Sequence, residues 1–143
     1  MNIENYIFQT PRNFKQIVIK LSFDAIEWLN GTTTTHEGVS IINRTLFYDI
    51  LSRMRFCDSV DGLFRRPQQV LAGQAQLSEV LIAKQWRMGR KQVHNIIDKM
   101  IELELLAINR SKVASVASYI CIQSWSTDSS PVTNPFYEVK QSR

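Results

Sequence analysis

The strongest constraint on how this chain can fold lies in residues 78–104, where two short amphipathic segments stand only three residues apart. In the second segment, Val93, Ile96, Ile97, Met100 and Leu103 follow one another in steps of 3, 1, 3 and 3. That spacing places all five on one face of an α-helix, and it predicts a helix from Arg90 to about Glu104. In the first segment, Ser78 stands just before Val80, Leu81 and Ile82, where its hydroxyl can cap a helix running to about Trp86. Arg87-Met88-Gly89 leaves room for a tight turn and nothing more. Helices joined this closely must cross and share one core.

A close crossing needs a small residue at the point of approach, an apolar plug in the turn and apolar anchors on the second helix. Ala83, Met88, Val93 and Ile96 supply these in order. The spacing resembles the helix-turn-helix pattern of many bacterial DNA-binding proteins, with Arg87 where that pattern usually carries glycine and Gly89 two positions on. The outward side of the second helix is then Arg90, Lys91, His94, Asn95 and Asp98. Cations in a first helical turn oppose the helix dipole at a cost of about 0.3–1 kcal/mol each. A partner bringing negative charge to that end relieves the cost. Arg90 suits the edge of guanine and Asn95 the edge of adenine. His94 either meets such a partner or packs half-buried against the neighbouring helix.

Charge singles out the same stretch. Residues 84–112 carry seven basic and three acidic side chains, whereas the segments before and after are each balanced. The whole net charge of +4 therefore sits in 29 residues. Local excess of this kind attracts a phosphate backbone, because binding releases counterions. Arg87 at the turn, and Arg110 and Lys112 at the tip of a following hairpin, extend the basic surface. The expected DNA-contacting set is thus Arg87, Gly89, Arg90, Lys91, His94, Asn95, Arg110 and Lys112.

The remaining chain frames this region. Residues 1–15 read as a loose lead-in, and the alternation from Gln16 to Phe23 predicts a strand. A short helix follows to Leu29, and the polar run Thr32–Gly38 serves as a boundary. A long helix is expected over Val39–Phe56, with Ile42, Leu46, Phe47, Ile50, Leu51 and Met54 as its apolar stripe. Val70–Leu77 alternates weakly as one short strand. Leu105–Asn109 and Val116–Ile122 form the hairpin after the second amphipathic helix. Residues 126–143 read as a mobile tail. The expected fold is mainly α with a small β-sheet: a winged helix-turn-helix over 39–125 with an N-terminal extension over 1–38.

From about Phe47 to Ile122, roughly half the chain, the sequence also resembles the winged-helix domains at the N-terminus of phage replisome organisers and primosome-loading proteins. The shared elements are Asp61-Gly62-Leu63-Phe64-Arg65, Gly73-Gln74, Leu77-Ser78, Arg90-Lys91-Gln92-Val93 and Leu103-Glu104-Leu105-Leu106. The resemblance implies DNA binding more firmly than replication, and the expected function is sequence-specific or structure-specific binding of double-stranded DNA, as a transcriptional regulator or as an accessory replication factor of a mobile element. The alternative function is a protein-interaction module of a replication or recombination complex with weak DNA contact.

Other classes find little support. No nucleophile stands beside a base in a familiar spacing and no phosphate-cradling glycine loop follows a strand, so no enzyme is expected. The two cysteines and two histidines match no zinc spacing, and no cofactor is expected. Cys57 and Cys121 read as small buried side chains. Apolar runs are too short to span a membrane and the first residues are unlike a secretory signal, which points to the cytoplasm. A homodimer is expected, because paired half-sites suit helix-turn-helix readers. Exposed apolar residues such as Trp28 and Phe47 are candidates for its interface.

Overall fold

A computed structural model of the chain describes residues 14–61, 68–110, 115–127 and 131–137. Its N-terminal part runs β1 (Phe14–Ile19), α1 (Phe23–Asn30), β2 (Thr32–Thr34), β3 (Ser40–Ile42) and α2 (Asn43–Leu51). The middle comprises β4 (Ser59–Asp61), β5 (Gln68–Val70), β6 (Gln74–Leu77), α3 (Glu79–Trp86) and α4 (Arg90–Glu102). The chain continues with β7 (Ala107–Arg110), β8 (Ser115–Ser118), β9 (Ile122–Thr127) and β10 (Pro131–Thr133).

Strands hold about as many of the described residues as helices do, and the fold is mixed α/β. This corrects the mainly α expectation. The strands form two three-stranded antiparallel sheets, ordered β6-β8-β7 and β1-β9-β10, and two two-stranded ribbons, β2-β3 and β4-β5. Much of the added strand comes from residues that read as linker or tail. Thr32–Thr34 pairs with Ser40–Ile42, so the long helix expected from Val39 begins only at Asn43. Threonine and the β-branched pair Ile41-Ile42 favour the pleated conformation over the helix. Pro131–Thr133 pairs with β9, and Asn134 and Tyr137 beyond it are buried, where a mobile tail was expected.

The N-terminal extension belongs to the same body as the rest. β1 pairs with β9 from Phe14↔Thr127 to Ile19↔Ile122. Ala25 and Leu29 of α1 enter one continuous core with Leu46, Ile50, Val93, Ile97 and Trp125. Asn43 fixes the junction: its side chain donates to Trp28 O at 2.8 Å and accepts from the Thr33 hydroxyl. Phe47, expected as exposed, is 1% exposed, because α2 turns it inward beside Leu46 and Ile50. Cys121 is buried as expected, while Cys57 is exposed. No described helix is long and apolar enough to cross a membrane.

Tyr119, which follows β8, ties the two halves of the core together. It is fully buried, and its hydroxyl donates to the carbonyl of Ile50 at the end of α2. Burial pushes its phenol far above the ordinary range. Above about pH 10 the unfolded chain gives up this proton while the folded chain keeps it, so stability falls as pH rises. The loss in wild type beyond that of Tyr119→Phe is expected to total about 1.4 kcal/mol by pH 11, with the slope approaching about 1.4 kcal/mol per pH unit only above that. Urea denaturation between about pH 9 and pH 11 checks this, and parallel curves for the two proteins contradict it.

Candidate nucleic-acid interface

The candidate interface is centred on the turn between α3 and α4. Ser78 caps α3, its hydroxyl accepting from Leu81 N at 3.3 Å. The helix stops after Trp86 because Arg87 adopts the left-handed conformation, φ 56° and ψ 47°, and Met88 N bonds back to Ala83 O at 3.0 Å. A side chain in that conformation costs roughly 1–2 kcal/mol, which is why glycine is the commoner residue there. Ala83, Met88, Val93 and Ile96 are all buried. The end of α3 is also held from behind by the fully buried Asp49. Asp49 Oδ2 accepts from Trp86 Nε1 at 2.6 Å and from Arg53 Nη2 at 2.9 Å, and Arg53 Nη2 reaches Gln85 Oε1 at 2.6 Å.

Gly89 begins α4 without a side-chain cap, and no acidic residue stands in the first turn. Arg90, Lys91 and Asn95 are exposed, as are Lys84 and Arg87 just before them. Among the described residues these four cations make no ion pair. The rear face of α4 is fixed by Val93, Ile96, Ile97 and Met100, so its cationic end is held outward by burial of the opposite side.

His94 and Arg110 take a different part. His94 Nδ1 lies 3.0 and 3.1 Å from the two carboxylate oxygens of Glu79, and Nε2 lies 3.2 Å from Asp98 Oδ2. Arg110 Nη2 bonds Asp98 Oδ1 at 2.9 Å and approaches Glu79 Oε2 at 3.8 Å. The four side chains join the start of α3, the middle of α4 and β7 into one charged network. His94 and Arg110 thus position the hairpin against α4 and already hold carboxylate partners. Gln85, beside the turn, is occupied by Arg53. Lys112 lies outside the described residues.

The β2-β3 ribbon adds a feature that the sequence reading missed. Gln92 Nε2 donates to Thr34 O at 2.8 Å, and His36 sits so near Gly89 that a Cβ there would lie 3.3 Å from its Nε2. The ribbon therefore flanks the N-terminal end of α4 without covering Arg90, Lys91 or Asn95. The run of threonines ahead of Ile41-Ile42 is the local signal for it. No family model, curated protein or solved structure matches this chain.

Proposed function

We propose that the chain binds double-stranded DNA as a winged helix-turn-helix protein, with α3 and α4 as the paired helices, α4 as the reading helix and β7-β8 as the wing. One observation carries the reading: Arg87, Arg90, Lys91 and Asn95 stand exposed around the uncapped start of a helix whose opposite face is buried. An anionic groove partner complements both the unpaired cations and the helix dipole at that end. The sheet order β6-β8-β7, with α3 and α4 lying between β6 and β7 in the chain, and the Arg110–Asp98 ion pair that ties β7 to α4 support reading β7-β8 as the wing. The protein is a binding protein of the cytoplasm, a transcriptional regulator or accessory replication factor, and not an enzyme.

Replacing both Arg90 and Lys91 by alanine is expected to weaken duplex binding about tenfold to a hundredfold at moderate salt. The slope of log affinity against log salt should become shallower by about 2, one unit for each phosphate that the variant no longer neutralises. Fluorescence anisotropy with a labelled duplex over a salt series measures both. Duplex affinity unchanged by the two substitutions overturns the assignment and leaves the protein-interaction reading in its place.

A further inference from the structure

The outer face of α1 carries an apolar centre between flanks of opposite charge. Phe23 is 89% exposed and Ile26 is 41% exposed, on a helix whose inner residues Ala25 and Leu29 are buried. Beside Ile26 lies a hollow of about 130 Å³, walled by Ile19, Leu21 and Tyr48 and edged by Arg44. Tyr48 is itself 49% exposed, and Arg44 Nη1 donates to Asn30 Oδ1 at 2.7 Å on this flank. On the other flank of α1, Asp24 and Glu27 border a groove shared with Trp28 and the end of α4 at Lys99 and Glu102. Lys99 is paired with Glu102 at 2.9 Å, so Asp24 and Glu27 give that flank its negative charge.

We propose that this face binds a second copy of the same chain, in a two-fold symmetric dimer centred on Phe23 and Ile26. An isologous contact sets each side of a patch against the opposite side of its copy, so the patch must complement itself. A 180° rotation about an axis through the Phe23–Ile26 crest brings Arg44 of each copy to the Asp24 and Glu27 flank of the other. The crest then supplies the desolvated apolar centre, and the ion pairs form its rim. A face made for a strongly basic or acidic partner would carry one sign of charge. Trp28 and Phe47, expected to supply a dimer contact, are half-buried and buried respectively, and Phe23 and Ile26 take their place. The contact lies toward the C-terminal end of α4, which leaves Arg90 and Lys91 open on both copies. This inference stands apart from the DNA-binding reading, since its test contains no DNA.

Sedimentation of the full chain between about 1 and 100 µM should show a concentration-dependent dimer. Phe23→Asp, at a position too exposed to disturb the core, should weaken dimerisation about a hundredfold, because the substitution acts twice across a symmetric contact. Arg44→Glu and Glu27→Arg should each weaken it about tenfold. The two combined in one chain should restore it to within about threefold of wild type, since the pairing is then reversed on both sides. A monomer at about 100 µM, a dimer indifferent to Phe23→Asp, or a double variant no tighter than either single overturns the proposal.

Discussion

Asp49→Ala is expected to cost about 3–5 kcal/mol of folding stability, the range typical of removing one partner from a buried ion pair. Asp49 is 0% exposed and sits on α2, facing the end of α3. Its Oδ2 receives both the Trp86 indole N–H and the Arg53 guanidinium, whose side chain is only 12% exposed. Alanine removes the acceptor from a buried indole and the counter-charge from a largely desolvated guanidinium in one step. Asp49→Asn keeps an oxygen for Trp86 but loses the charge, and about 1–3 kcal/mol is expected. Among the described residues Asp49 Oδ1 has no hydrogen-bond partner, which places the asparagine variant toward the lower end. Urea denaturation of the two variants tests the ranking. An Asp49→Ala protein within about 1 kcal/mol of wild type would contradict the role given to this cluster. Because Trp86 and Gln85 immediately precede the Arg87 turn, the same cluster fixes the direction in which α4 leaves α3.

The helical spacing of α3 and α4 was legible because each helix buries a single stripe and the turn between them is too short for anything else. Val93, Ile96, Ile97 and Met100 are all buried, and Ser78 caps α3. What could not be read was decided by partners distant in sequence. The side chains of His94 and Arg110 fit an anion-binding face equally well until Glu79 and Asp98 are seen beside them. The alternation in β1 indicated a strand, but its pairing with β9 spans more than a hundred residues. Thr32–Thr34 looked like a polar linker because its side chains are hydrophilic, while its structure comes from β-branching and from the Ile41-Ile42 strand opposite. Val70–Leu77, read as one strand, is divided by a turn at Ala72-Gly73 into β5 and β6, which pair with different partners. Among the basic residues, those local to the turn have the expected exposure, and the described one on the hairpin, Arg110, is claimed by a tertiary ion pair.

Gly73→Ala is the second substitution expected to be severe, at roughly 4 kcal/mol from backbone strain and overpacking together. Gly73 has φ +90°, a conformation that strains any side chain by about 1–3 kcal/mol. A Cβ there would also fall 2.3 Å from Asn134 Oδ1 and 3.2 Å from the Phe136 ring. Asn134 cannot swing aside cheaply. It is fully buried, its Nδ2 donates to Tyr119 O at 2.9 Å and Ile122 O at 2.8 Å, and its Oδ1 accepts from Phe136 N at 3.1 Å. Overpacking of this kind adds about 1–3 kcal/mol to the backbone strain. Gly73 also bonds through its own backbone, with Arg55 O on one side and Tyr119 N on the other, so a shift of the main chain would break further hydrogen bonds. Asn134→Ala alone should destabilise as well, by leaving the Tyr119 and Ile122 carbonyls without that donor. The double variant Gly73→Ala/Asn134→Ala then loses the clash but keeps the φ strain. It should be less destabilised than the sum of the singles by about 1–3 kcal/mol. Strict additivity in a urea double-mutant cycle would show that Asn134 yields freely, and that the segment after β10 is not locked to the body at Gly73.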